Sequence, residues 1–174
     1  GGTSATIFLP SNASPEKIRK LERWGAKVVI HGRQWDEANQ AALALAEQEG
    51  LTYLHPFADP VVIAGQGTAA LEIFEQAPDV DTILVAIGGG GFISGIGVMA
   101  KALKPSVRIV GIEPVGSPTL HGSVKAGRVV ELPEITTRVP TMACKKTEPI
   151  NLALVQRTVE EIVLVTDEEM QDAS

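Results

Sequence analysis

Thr82-Ile-Leu-Val-Ala-Ile87, then Gly88-Gly89-Gly90-Gly91, then Phe92-Ile-Ser-Gly-Ile-Gly-Val-Met-Ala-Lys-Ala-Leu103 run on without a break near the middle of this 174-residue chain. An apolar run, a block of glycines and a second apolar stretch of helical length read as strand, turn and helix. Residues without a Cβ let successive backbone N–H groups point into one concavity, and the positive end of the following helix favours a negative charge there. That combination is the physical recipe for a phosphate site. The competing reading is a flexible glycine linker, but linkers are flanked by polar residues and this block is flanked by apolar ones.

Working outward, the chain is 44% hydrophobic and 21% charged, enough to bury a core in one domain or two small ones. Its net charge of -6 comes from dispersed Asp and Glu, with 4% aromatic residues and no basic stripe, which argues against nucleic acid or an anionic membrane as a partner. A small anionic ligand would have to be captured locally. Cys144 is the single cysteine, so no intrachain disulfide is available, and neither a signal peptide nor an apolar run of spanning length is readable; the expected compartment is the reducing cytoplasm. Beside Lys145 and Lys146 but with no paired base in sequence, Cys144 reads as an ordinary small residue.

In chain order, Ala5 to Leu9 is a short apolar run stopped by Pro10, compatible with a buried strand. Ser14 is an N-cap and Pro15 a first helical residue, with Ile18, Leu21 and Trp24 three apart before Gly25. Lys27 to Ile30 reads as a strand, Asp36 to Glu49 as a helix closed by Gly50, and Thr52 to His55 as a third strand. A helix is expected through Ala69 to Phe74, with Gly65-Gln66-Gly67-Thr68 as its entry or as an active loop. After the glycines, Val107 to Ile112 is a strand ending at Glu113-Pro114, and Thr119 to Lys125 a short helix stopped at Gly127. Residues 129–147 read as a long, partly ordered connection, Asn151 to Glu161 as a helix and Ile162 to Val165 as the last strand. Strands alternating with helices in this way predict an α/β fold, with parallel sheets and helices on both faces.

The ends are informative too. The chain opens Gly1-Gly2-Thr3, and Thr166-Asp167-Glu168-Glu169 has the form of a capping box that starts a helix with only about two turns left. A helix that short is marginal alone, so the chain is expected to be an internal piece of a longer protein.

A phosphate site leaves the ligand open. Gly89, Gly91 and Ser94 approximate G-x-G-x-x-G with serine in the third place, and Glu113 stands about where a ribose-binding acid is wanted, so a dinucleotide is one candidate. Against it, such a unit usually opens its domain, whereas several α/β elements precede this one. A nucleotide P-loop is excluded because no Lys-Ser/Thr pair follows the glycines. His31, His55 and His121 are scattered and read as strand-end or surface residues rather than metal ligands. Glu72 reads as a solvated carboxylate. A non-catalytic module that binds a phosphate ligand is a further alternative.

Gly88-Gly-Gly-Gly91 followed by Phe92-Ile-Ser-Gly95 resembles the tetraglycine phosphate loop of fold-type II pyridoxal-phosphate enzymes of the threonine dehydratase and serine racemase type. Pro10, Lys17, Gly25-Ala-Lys-Val28, His55-Pro-Phe57, Asp59-Pro60 and Ile63-Ala-Gly-Gln-Gly-Thr68 are similar to the same family in the same order. Val110-Gly-Ile-Glu-Pro114 and Val165-Thr-Asp-Glu-Glu169 extend the likeness over nearly the whole chain, and its collinearity outweighs the dinucleotide reading.

This resemblance implies that Gly88, Gly89, Gly90, Gly91 and Phe92 hold the phosphate of pyridoxal 5'-phosphate. It implies a small mobile domain over residues 1–57 and part of a large cofactor-binding domain over 58–174. Glu113 and the carbonyl of Ser117 match two places of a divalent cation site found in some members, whereas Thr119 stands where the third ligand is an Asp. Near Val139-Pro-Thr-Met-Ala-Cys-Lys-Lys146 the chain departs from the family's Ala-Asp-Gly segment and looks more like dehydratases linked to hydroxyectoine breakdown, which offers an alternative substrate. The family's lysine motif, which forms the Schiff base, lies upstream of these residues, so no catalytic residue is carried over and the chain alone is expected to be inactive. The implied parent is a homo-oligomeric ammonia-lyase converting a β-hydroxy amino acid to a 2-oxo acid.

Overall fold

The computed structural model describes residues 2–173, which form two compact units, one running up to Leu54 and one starting at His55. In the first unit, β1 (Thr6–Leu9) and β2 (Lys27–Ile30) pair in parallel, with Thr6 opposite Lys27. Between them α1 (Pro15–Arg23) starts as its sequence requires: the Ser14 hydroxyl accepts from the Lys17 amide at 3.2 Å and Pro15 takes the first position. Trp24, expected on the apolar face of that helix, instead stands just past its end, 71% exposed, with the Lys20 ammonium 5.1 Å from its ring. α2 (Trp35–Glu49) then ends at Gly50 and buries Ala38.

The third strand expected at Thr52 to His55 does not form. Tyr53 instead donates its hydroxyl to Asn39 of α2, which ties the segment to a helix rather than to a sheet edge. Its short apolar alternation matched a strand, but a strand also needs a neighbour to pair with.

The second unit carries a three-stranded sheet in the order β3 (Thr82–Ala86), β4 (Arg108–Pro114), β5 (Glu161–Val165), all parallel. Ile83, Val85 and Ile87 alternate into the core while Leu84 faces out, and they meet Ile93, Ile96, Val107, Ile109, Leu120 and Val155. The sheet carries α3 (Pro60–Gln76), α4 (Gly91–Leu103), α5 (Thr119–Ala126) and α6 (Pro149–Thr158), and α7 (Asp167–Asp172) follows β5. The capping box of α7 is present as read from sequence, with Thr166 accepting from the Glu169 amide at 3.2 Å.

Two boundaries differ from expectation. α3 begins at Pro60, because the Asp59 carboxylate accepts from the amides of Val61 at 2.7 Å and Val62 at 3.2 Å. Gly65-Gln66-Gly67-Thr68 is therefore helix interior, neither an entry nor an active loop. Gly67 costs helix propensity, and close packing outweighs that cost: a Cβ on it would come within 2.9 Å of the Gly95 carbonyl oxygen of α4, and one on Gly95 within 2.3 Å of the Ile63 carbonyl oxygen, so the two helices cross at backbone contact. α6 stops at Thr158 rather than Glu161, because Glu160 is drawn to β4, its amide donating to Ile109 O at 3.0 Å and its carboxylate accepting from Ile109 N at 2.7 Å. Among the described residues no helix is long and apolar enough to cross a membrane.

Candidate phosphate site

The last ladder bond of β3 runs from the Ile87 amide to Ile112 O at 2.8 Å, and the first bond of α4 from the Ser94 amide to Gly90 O at 3.0 Å. Between these two points, and among the described residues, the amides of Gly88, Gly89, Gly90, Gly91 and Phe92 donate to no other group of the chain. They include the first-turn donors of α4, which a helix cannot satisfy internally. Gly90 caps the helix at φ 99°, a conformation that a side chain rarely tolerates. Phe92 is 45% exposed, and its amide is among the unshared donors.

The loop is walled closely. A Cβ on Gly88 would meet Thr141 O at 2.8 Å, one on Gly89 the Phe57 ring at 2.4 Å and one on Gly91 Phe57 O at 2.6 Å. Phe57 is itself held by His55, whose Nδ1 accepts from the amides of Phe57 at 3.3 Å and Ala58 at 3.0 Å, with the two rings edge to face at 4.5 Å. Accepting at Nδ1 leaves the imidazole proton on Nε2. Burial lowers the His55 pKa, although the carboxylates of Glu148 and Asp59 pull the other way. His55 is thus neither a strand-end nor a surface residue, as its spacing suggested, but a bracket for the wall of the loop.

Behind the loop, the Thr147 hydroxyl donates to Gly89 O at 3.0 Å, and Asn151 Nδ2 donates to Phe57 O at 2.8 Å and to Ser94 Oγ at 3.3 Å. Phe57, Thr147 and Asn151 were not singled out for this role by sequence reasoning. They lie far from the glycines along the chain and no spacing connects them; Phe57 entered only as part of a resemblance and Asn151 only as a helix residue.

Glu113, Ser117 and Thr119 do come together, at the N-terminal end of α5. The Glu113 carboxylate is fully buried and accepts from the Leu120 amide at 2.7 Å and the His121 amide at 2.8 Å. Burial pushes its pKa up to about 7, against the lowering effect of those hydrogen bonds. The Ser117 carbonyl accepts from the Thr119 amide at 2.9 Å, while the Ser117 hydroxyl donates to Cys144 O at 2.9 Å and accepts from Cys144 N at 3.1 Å. The two matched groups, the Glu113 carboxylate and the Ser117 carbonyl, thus accept from amides of α5, while the Ser117 hydroxyl fixes the 129–147 connection. Among the described residues, no three His, Cys, Asp or Glu side chains form a group that could hold a metal ion. Glu113 is likewise committed to backbone amides rather than facing a ribose, which removes one of the two supports for a dinucleotide. Cys144 is buried, in keeping with an ordinary small residue.

A glycine turn with unshared amides between a parallel strand and a helix N-terminus is a geometry that can receive an anion such as phosphate. The chain belongs to the family described as Pyridoxal-phosphate dependent enzyme, which matches residues 1–174. It is 41% identical over 169 residues to the L-threonine ammonia-lyase of Geobacter sulfurreducens, covering 97% of this chain and 42% of that protein. It is 34% identical over 164 residues to the L-threonine dehydratase biosynthetic IlvA of Escherichia coli, covering 94% of this chain and 32% of that protein. Among solved structures, maize serine racemase superposes with a TM-score of 0.93 at 32% identity, covering 99% of this chain and 52% of the other. The processed form of threonine deaminase isoform 2 from Solanum lycopersicum gives 0.87 at 35%, covering 94% and 48%. The family is the one the glycine loop and its collinear motifs resemble. The chain spans less than half the length of these curated relatives.

Proposed function

We propose that this chain forms the phosphate seat of a pyridoxal-phosphate-dependent ammonia-lyase that removes water and then ammonia from a threonine- or serine-like amino acid to leave a 2-oxo acid. The observation that carries this reading is the row of amides from Gly88 to Phe92, unshared with the rest of the chain and placed at the positive end of α4. The residues fit the group: a phosphate has acceptor oxygens for several such donors, and the site's close walls leave no room for side chains that would compete with it. When bound, pyridoxal phosphate supplies an electron sink for chemistry at the substrate's α-carbon. The chain's own share is to bind the phosphate, fix its orientation through Gly88 to Phe92 and keep Phe57 against the loop. No residue described here is assigned the proton transfer.

The same reading places a small domain ahead of the cofactor domain. The division into compact units after Leu54 supports it, with His55 and Phe57 on the cofactor side. A homo-oligomer in the cytoplasm completes the proposal, resting on the family and on the single free cysteine. The test is to add pyridoxal phosphate to the isotopically labelled protein and follow its amide resonances. Shifts centred on Gly88 to Phe92 are expected; shifts confined to other segments would refute the assignment.

A further inference from the structure

Asn151 is 0% exposed in the first turn of α6, and its two donated bonds reach segments far apart in sequence, the Phe57 carbonyl and the Ser94 hydroxyl. Its Oδ1 is equally buried and, among the described residues, accepts from nothing. An amide that leaves one buried oxygen unmatched is a poor choice for core stability, since such an atom costs about 1–3 kcal/mol while an apolar residue of similar size costs nothing of the kind. What the amide contributes in this structure are the two bonds from Nδ2.

What Nδ2 holds are two neighbours of the glycine loop, Phe57 and Ser94. Phe57, whose carbonyl it grips, supplies the wall against both Gly89 and Gly91. Ser94, its second acceptor, lies in the first turn of α4, two residues after Phe92. Thr147, also 0% exposed, adds a grip on Gly89 O. Asn151 Cβ and Thr147 Oγ1 both border Gly90, at 3.2 Å and 3.4 Å from where its Cβ would stand. Thr147 thus grips the loop itself, while Asn151 ties the Phe57 wall to the first turn of α4.

We propose that Asn151, assisted by Thr147, is a positioning residue that presets the amides of Gly88 to Phe92 for an anion, so that little ordering is left for the moment of binding. The proposal rests on the phosphate reading above, and both residues act through other groups of the chain.

The experiment titrates the 174-residue protein with inorganic phosphate and reads the dissociation constant from the Gly88 to Phe92 amide shifts. It does so in the parent, in Asn151→Leu and in Thr147→Val, at a temperature where thermal unfolding curves show each fully folded. Asn151→Leu is expected to weaken phosphate binding about tenfold or more, and Thr147→Val severalfold, because the loop must then be ordered on binding. A residue that serves stability alone would lower the unfolding temperature and leave the dissociation constant of the folded protein within about twofold of the parent; that result overturns the proposal. Should Asn151→Leu not fold, Thr147→Val decides, since it keeps shape and removes one hydroxyl. If phosphate moves none of these amides in the parent, the phosphate reading falls and takes this one with it; unchanged affinity in the variants removes this one alone.

Discussion

The Cγ atom of Phe57 stands 2.4 Å from where a Gly89 Cβ would be, so the ring fills the space that the glycine leaves. The two residues are complementary: a side chain at 89 and a ring at 57 exclude one another. Gly89→Ala should destabilise the protein by about 1–3 kcal/mol in chemical denaturation, the usual cost of overpacking a close contact. Adding Phe57→Ala should recover part of that loss, so the double substitution should be less costly than the sum of the two single ones.

A second close approach holds the scaffold rather than the site. Gly95→Ala would drive a methyl group against the Ile63 carbonyl, which is backbone and cannot rotate away. A loss of at least about 3 kcal/mol is expected, at the upper end of overpacking costs. Val98→Ala, on the exposed side of the same helix, should change stability by no more than about 0.5 kcal/mol. Equal effects at the two positions would contradict the helix crossing described here.

Much of the fold is legible in local signals. Ser14-Pro15, Thr166 with Glu169, and the apolar runs flanking the glycines each carry their own cap or alternation, and each forms the element it predicts. Where sequence reasoning fails, a distant partner decides. Tyr53 is taken by Asn39 and leaves no strand; Ile63 and Gly95 meet and turn an apparent loop into helix; Ile109 draws Glu160 out of α6. The candidate site divides in the same way. Its donors are readable from four adjacent glycines, whereas Phe57, Thr147 and Asn151, which shape it, are brought there only by the fold.

Glu113 predicts a distinct pH dependence. Its pKa is about 7 in the folded protein against 4.5 unfolded, so the native state holds this proton more tightly. The stabilisation it gives is complete below pH 4.5 and is lost as pH rises through about 7, amounting to no more than about 3 kcal/mol. Denaturation across that range should show a falling stability in the parent and a flatter profile in Glu113→Gln.

His55 acts in the opposite sense. Its pKa is lowered from 6.5, so the unfolded chain binds a proton more readily, and the stability it contributes is full above pH 6.5 and declines as pH falls below it. Protonation would also remove the Nδ1 acceptor that fixes Phe57 and Ala58. His55→Asn, which keeps an acceptor but cannot titrate, should lose that acid-side decline in denaturation curves; an unchanged decline would place its origin elsewhere.

The central claim is that the Gly88 to Phe92 amides recognise phosphate. Equilibrium dialysis of the protein against pyridoxal phosphate and against pyridoxal, the same ring without the phosphate, addresses it most directly. Pyridoxal phosphate should bind, inorganic phosphate should compete with it, and pyridoxal should bind at least about tenfold more weakly. Equal affinity for the two, with no competition from phosphate, would contradict the account.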